Sequence, residues 1–308
     1  MPKNCRERSF GWGLVLVMAV MLLGTSSSTA QDRSGRTVLA QFRDAQALAV
    51  DPMGRLYVAD DGRDVVRILD RDGTVHETLG GAGTRAGEFD GPADVDPTNG
   101  QSIWVADAGN GRLQRFSQEG LYLEAFPVGT SFREGREQRA FDDGRDGATV
   151  QGDGRPVAVA SSSGGETFAI DGRSGVVLKW DEQRRPERLV GPVGRRSRTL
   201  RDPVALALDG TRRLYVADRD HEAVLAFDLF GSFVERLDIP PLPSIQALAM
   251  HRGRLWIVCP ERVFVWTPDK GTTTEYNLDL PAPLVDAAGR GEALFLLTAT
   301  TLYRRPLW

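Results

Sequence analysis

The sequence predicts an all-β fold built from six copies of one four-stranded unit, and three observations lead there. The word LYVAD stands at residues 56 to 60 and again at 214 to 218, and looser spellings recur as IWVAD at 103, TFAID at 167, LWIVC at 255 and LFLLT at 294. Their starts lie 47, 64, 47, 41 and 39 residues apart, a spacing that marks an internal repeat. Each word is also flanked by further short apolar runs, and the unit at the C-terminal end is one run short while the N-terminal end has one to spare.

The words themselves are β-branched, aromatic and aliphatic, which suits a buried second strand. A first strand precedes each of them: QALAVD at 46, PADVD at 92, PVAVA at 156, PVALAL at 203, QALAM at 246 and PLVDAA at 283. A third follows: VVRILD, RLQRF, VVLKW, AVLAFD, RVFVW and TLYRR. A fourth is present in five units, as TVHETL, LYLEAF, PERLV, SFVERL and TTEYNL, with turns rich in Gly, Asp and Asn between the strands. The sixth unit ends at Trp308 without one, and GRTVLAQF at 35 to 42 resembles the fourth strand DGTVHETL at 72 to 79. An N-terminal strand that completes the last unit closes the ring and leaves no open edge, so the prediction is a six-bladed β-propeller. Small first-strand residues, among them Ala47, Ala49, Ala158, Ala205, Ala247 and Ala249, fit strands that converge on a narrow axis.

The second unit, GEFDGPADVDP followed by IWVADAGNGRLQRFSQEGLYLEAF, resembles an NHL repeat, with an F-x-x-P entry at Phe89 and Pro92 and a V-A-D-x-G-N turn from Val105 to Asn110. Units one and four keep most of that pattern, and units three, five and six depart from it. The resemblance implies the propeller fold over nearly the whole of residues 31–308. It does not imply one activity, because propellers of this kind include binding scaffolds and enzymes.

Antiparallel connectivity puts the turn from strand two to strand three at the same end as the link to the next blade, and that top end is the expected contact face. Asp60, Asp107, Asp171 and Asp218 stand there at equivalent points. A ring of carboxylates can hold a hard cation, but a position shared by four blades first suggests that each Asp caps its own turn. Departures from the repeat are more informative about function. Asn110 is matched by Arg63, Ser174 and His221; Asp94 takes the place assigned to alanine at 49, 158, 205 and 249 and puts a carboxylate near the axis. Arg112 and Arg173 complete the candidate ligand-binding set with Asp60, Arg63, Asn110, Asp218 and His221.

The long spacing between blades two and three reflects an insertion at 130–153, where Asp142, Asp146, Gly147 and Asp153 match positions 1, 5, 6 and 12 of a calcium loop while Gly144 does not match position 3. The candidate metal ligands are therefore Asp94, Asp107, Asp142, Asp146 and Asp153, for Ca2+ or another divalent cation, with no cofactor as the default. Arginines 184, 185, 188, 195, 196, 198 and 201 form a basic run that could meet an anionic surface, or a solvated outer strand. GAGTRAG at 81 to 87 lacks the helix and spacing of a phosphate loop and is expected to be an inter-blade turn.

Lys3, Arg6 and Arg8, an uncharged run from Gly11, and small residues at Ser28 and Ala30 predict a secretory signal peptide over residues 1–30, cut after Ala30, and hence a periplasmic or secreted protein. Losing those three cations with Glu7 takes the formal charge from −4 to −6, which disfavours nucleic acid as a partner. Cys259 alone remains, so no internal disulfide is expected. No Ser, His and Asp set is placed for catalysis, and His76, His221 and His251 fall on an outer strand, a top turn and a bottom turn. The resulting expectation is a monomeric, non-catalytic binding or assembly scaffold for an envelope or extracellular protein or carbohydrate, with no transmembrane segment in the mature chain. The alternative is a metal-dependent hydrolase or lyase of the same fold, similar to the lactonases and amidating lyases, which gather metal ligands near the axis.

Overall fold

The computed structural model describes residues 35–129, 151–183, 186–190, 200–210, 212–242, 244–268 and 270–307. It contains 24 strands in six antiparallel four-stranded sheets. β1 (Thr37–Gln41) belongs to the last blade. Blade one is β2 (Ala45–Val50), β3 (Leu56–Asp60), β4 (Val65–Leu69) and β5 (Val75–Gly80), and blade two is β6 (Pro92–Asp96), β7 (Ile103–Asp107), β8 (Arg112–Phe116) and β9 (Tyr122–Pro127). Blade three comprises β10 (Pro156–Ser161), β11 (Thr167–Asp171), β12 (Val176–Trp180) and β13 (Pro186–Val190); blade four comprises β14 (Pro203–Asp209), β15 (Arg213–Asp218), β16 (Ala223–Phe227) and β17 (Phe233–Arg236). Blade five is β18 (Ala247–His251), β19 (Arg254–Val258), β20 (Arg262–Thr267) and β21 (Thr272–Asn277), and blade six is β22 (Leu284–Arg290), β23 (Ala293–Thr298) and β24 (Thr301–Pro306). β1 pairs antiparallel with β24, so the N-terminal strand completes blade six as expected.

Burial along each blade follows from strand position. β3, β7 and β11 are buried at every residue, which is why their sequences are nearly continuous apolar words, while outer strands such as β5 and β21 alternate towards solvent and tolerate His76 and a threonine run. First strands pair small residues against large ones: Ala49 faces Tyr57, Ala160 faces Phe168, Ala207 faces Tyr215, Ala249 faces Trp256 and Ala288 faces Phe295. That taper makes each blade a wedge. The core consists of apolar clusters that each join two neighbouring blades, for example Tyr57, Ile68 and Phe89 with Val105 and Phe116 between blades one and two.

The first strand of five blades carries a bulge after its first residue, between Ala45 and Ala47, Pro92 and Asp94, Pro156 and Ala158, Pro203 and Ala205, and Leu284 and Asp286. The three prolines sit where the ladder is already interrupted and no N–H is needed. Gly80, at φ 90°, closes β5, and a Cβ there would lie 2.1 Å from the ring of Phe89, which is fully buried. Gly80→Ala is expected to cost about 2–3 kcal/mol from left-handed strain and overpacking, measured as the shift in urea unfolding free energy. Among the described residues no helix is long and apolar enough to cross a membrane.

Candidate active site in the axial channel

The top aspartates are tied into the fold. Asp60 accepts N–H bonds from Arg43 and Asp44 at 3.1 and 3.0 Å and a 2.7 Å bond from Arg63 Nη1. Asp171 accepts from the backbone of Arg155 and Arg173 and from the Ser174 hydroxyl, and Asp218 from the backbone of Arg201, Asp202 and His221. All of them are buried. Each carboxylate thus fastens the end of a second strand to the link entering its own blade, and the matched position three residues on supplies a further donor.

Blade two elaborates this lock into a buried network. Asp107 Oδ1 accepts from Asp90 N–H at 2.8 Å, and Oδ2 accepts from Asn110 Nδ2, Arg112 Nε and Gln114 Nε2 at 2.9, 2.8 and 2.9 Å. Arg112, 1 % exposed, also donates to the carbonyls of Thr84, Arg85 and Glu88, and Asn110 donates to that of Gly83. Burial raises the Asp107 carboxyl, against the pull of these donors. With three donors on Oδ2, Asp107 has little capacity left for a cation. The GAGTRAG segment is the inter-blade link that this network holds.

Of the remaining candidates, Asp142 and Asp146 lie outside the described residues. Asp153 lies in the link before β10, against Gly129. Arginines 184, 185, 195, 196 and 198 also lie outside the described residues.

The first strands of all six blades enclose an axial cavity of about 220 Å³. Gln46 and Gln246 stand at its top mouth, and alanine, valine and leucine line most of its wall. Asp94, Asp96 and Asp286 interrupt that apolar lining. Asp94 and Asp286 share one register: Asp94 pairs with Ala106 and Asp286 with Leu297, each directly after a bulge, at the position where blades one, three, four and five place Ala47, Ala158, Ala205 and Ala247. The alignment of Asp94 with Ala49 and Ala249 is therefore corrected by two residues. The residue that shares their layer is Asp96, which pairs with Trp104 as Ala49 pairs with Tyr57.

Both carboxylates bridge blades. Asp94 Oδ2 accepts from Val159 N–H of blade three at 2.7 Å and Oδ1 from Val95 N–H at 2.8 Å; Asp286 Oδ2 accepts from Leu48 N–H of blade one at 2.8 Å and Oδ1 from Ala287 N–H at 2.7 Å. One pleat below, Asp96 Oδ2 accepts from the backbone and hydroxyl of Ser161. Burial pushes Asp286 up to about 7, against the two N–H bonds, and burial lifts Asp94 well above the carboxylate range, with the nearby charge of Asp286 adding to the rise. The channel thus holds two carboxyls whose hold on a proton is strengthened by burial. Sequence reasoning found Asp94 but passed over Asp286, although the same departure from alanine was present in PLVDAA.

A divalent cation needs several oxygen ligands, and the carboxyls in the channel lining, Asp94, Asp96 and Asp286, are each already engaged with backbone N–H groups. Among the described residues no group of three or more His, Cys, Asp or Glu is placed to hold a metal. The residues present do not fit the metal site that the enzyme alternative implies.

No family model matches the sequence, and no curated protein matches it either. Solved structures do match in fold. A gluconolactonase from Xanthomonas campestris superimposes with a TM-score of 0.62 at 18% identity, covering 88% of this chain and 89% of that one. A streptogramin B lyase matches with a TM-score of 0.58 at 13% identity over 89% of this chain and 87% of that one. A catalytically inactive histidine-to-alanine variant of virginiamycin B lyase from Staphylococcus aureus, solved with quinupristin, matches with a TM-score of 0.55 at 12% identity over 87% and 85%. These likenesses place the chain among six-bladed propellers.

The neighbours overturn the expectation of a non-catalytic scaffold. All three are enzymes or enzyme variants on this architecture, and they favour the alternative of a propeller hydrolase or lyase. The repeat words describe how blades are built, and they are the same whether the axis is inert or reactive.

Proposed function

We propose that the protein is a propeller hydrolase or lyase whose acid and base groups are Asp94 and Asp286, acting at the axial channel on a ring ester such as a sugar lactone. The observation that carries this reading is the carboxyl pair at one register position of a largely aliphatic channel, with the hold of both groups on a proton strengthened by burial. A carboxyl of this kind donates its proton to a leaving oxygen and recovers it from attacking water, a role that contributes about 10²–10⁴-fold to rate. The cavity is small, so the reactive part of the substrate enters while the remainder stays at the mouth between Gln46 and Gln246. The fold shared with a gluconolactonase and with streptogramin lyases supports the reaction class. Among the described residues no histidine lines the channel, and this reading gives proton transfer to the carboxyl groups. No step runs through a metal. The NHL-type pattern of blade two and the leader-like residues 1–30 further support an exported NHL-type propeller.

The test is turnover of δ-gluconolactone and quinupristin by the purified protein. Hydrolysis or elimination is expected to fall at least about 100-fold in Asp94→Asn and Asp286→Asn, both folded by circular dichroism, and to decline as pH rises through the Asp286 value of about 7. Turnover that is unchanged in both variants would refute the assignment, as would its absence from the native protein.

A further inference from the structure

A second cleft opens on the opposite, bottom face, where blades five, six and one meet. Its volume is about 980 Å³, and Arg71, Arg252, Arg290, Arg304 and Arg305 line it with His251. Glu292 is the one carboxylate among the described lining residues, so the cleft carries four positive charges in excess within a chain whose formal charge is −4. Segregation of that size needs a cause, because like charges held together raise the energy of the fold.

Two of the guanidiniums are fixed through uncharged acceptors. Arg71 Nη2 donates to the carbonyl of Met53 at 2.6 Å, and Arg290 Nη2 donates to the carbonyl of Pro52, so one bottom turn of blade one anchors two cations through uncharged acceptors. Arg252 meets an acid, Glu292, at 2.8 Å, and both partners of that pair are largely exposed. Arg304 is exposed on β24, opposite Thr37 of β1. His251 adds no charge: burial and the adjacent Arg252 and Arg290 hold its imidazole below the ordinary histidine range. It packs edge-on against Trp256, and its Nε2 is buried without a hydrogen-bond partner among the described residues.

We propose that this cleft binds a small molecule bearing oxyanion groups of the phosphate class, gripped by Arg71, Arg290 and Arg304. Planar guanidinium forks match tetrahedral oxyanions through paired N–H bonds, and anchored side chains lose little freedom on binding. The volume suits a ligand of ordinary cofactor or metabolite size. The site is separate from the axial carboxyls and does not rest on the catalytic reading.

Titration calorimetry with inorganic pyrophosphate at low ionic strength tests it. Saturable binding is expected that weakens with added salt and falls at least about tenfold in Arg71→Gln and in Arg304→Gln, while Arg219→Gln on the top face leaves it unchanged. Absence of binding in the native protein, or binding that survives both cleft substitutions, would overturn the proposal.

Discussion

Arg112→Met is expected to remove about 3–5 kcal/mol of stability, the loss that follows when one partner of a buried ion pair is deleted. The substitution keeps an apolar stem of similar length, so the loss reports the polar contacts. Asp107 would lose the 2.8 Å bond to its charged partner in a site with no water-exposed face, and the carbonyls of Thr84, Arg85 and Glu88 would each lose a donor. Urea unfolding of the variant and the native protein measures the difference. Combining it with Asp107→Asn should cost less than the two single losses summed, because the second change removes the stranded charge that makes the first so costly. A single-variant loss below about 1 kcal/mol would mean that the link from Ala82 to Asp90 is held by its own turns.

The second large effect is a stability profile that slopes the wrong way for an ordinary carboxylate. Asp286 is pushed up to about 7 in the folded protein, so the fold retains a proton that the unfolded chain releases above about pH 4. Each pH unit across that interval favours unfolding by about 1.4 kcal/mol, or about 4 kcal/mol in all. Below pH 4 both states are protonated and the penalty is absent; above pH 7 it is fully present. Asp94 is raised for the same reason and acts in the same direction. Asp286→Asn carries no titrating group, so its unfolding midpoint should exceed that of the native protein at pH 8 and fall to or below it at pH 4, where the amide only forfeits an acceptor for the N–H of Leu48 or Ala287. Profiles that run parallel from pH 4 to 8 would show that Asp286 ionises normally.

Most of the fold was legible because its causes are local. Second strands are buried on both faces and must be apolar throughout, so LYVAD and its variants survive as words. The closing strand was legible for the same reason: β1 has the composition of a fourth strand because it occupies a fourth strand's place. The register of Asp94 was legible as well but was misread: it stands nine residues before the word at 103, as Ala47 does before the word at 56, so Ala47 and not Ala49 is its match. The axial pair was half legible, through Asp94. The bottom cleft was invisible, because Arg71, Arg252, Arg290 and Arg304 come from three blades and no stretch of sequence shows them together, whereas the contiguous arginines from 184 to 201 drew attention by adjacency alone. The scaffold expectation rested on the repeats, which speak for construction and are the same in binding scaffolds and in enzymes.

The carboxylate locks of the top face bear on how such a chain can change over generations. Asp60, Asp171 and Asp218 each seize backbone only 16 or 17 residues upstream, at the threshold of their own blade. A blade so fastened sets its own starting point and does not inherit it from its predecessor. Asp171 resets blade three at Arg155 whatever length of chain arrives there, and the longest link in the ring, the one that ends at Arg155, is the one that has grown. Insertions can therefore accumulate between blades, and new termini could be cut there, without passing an error in register around the ring.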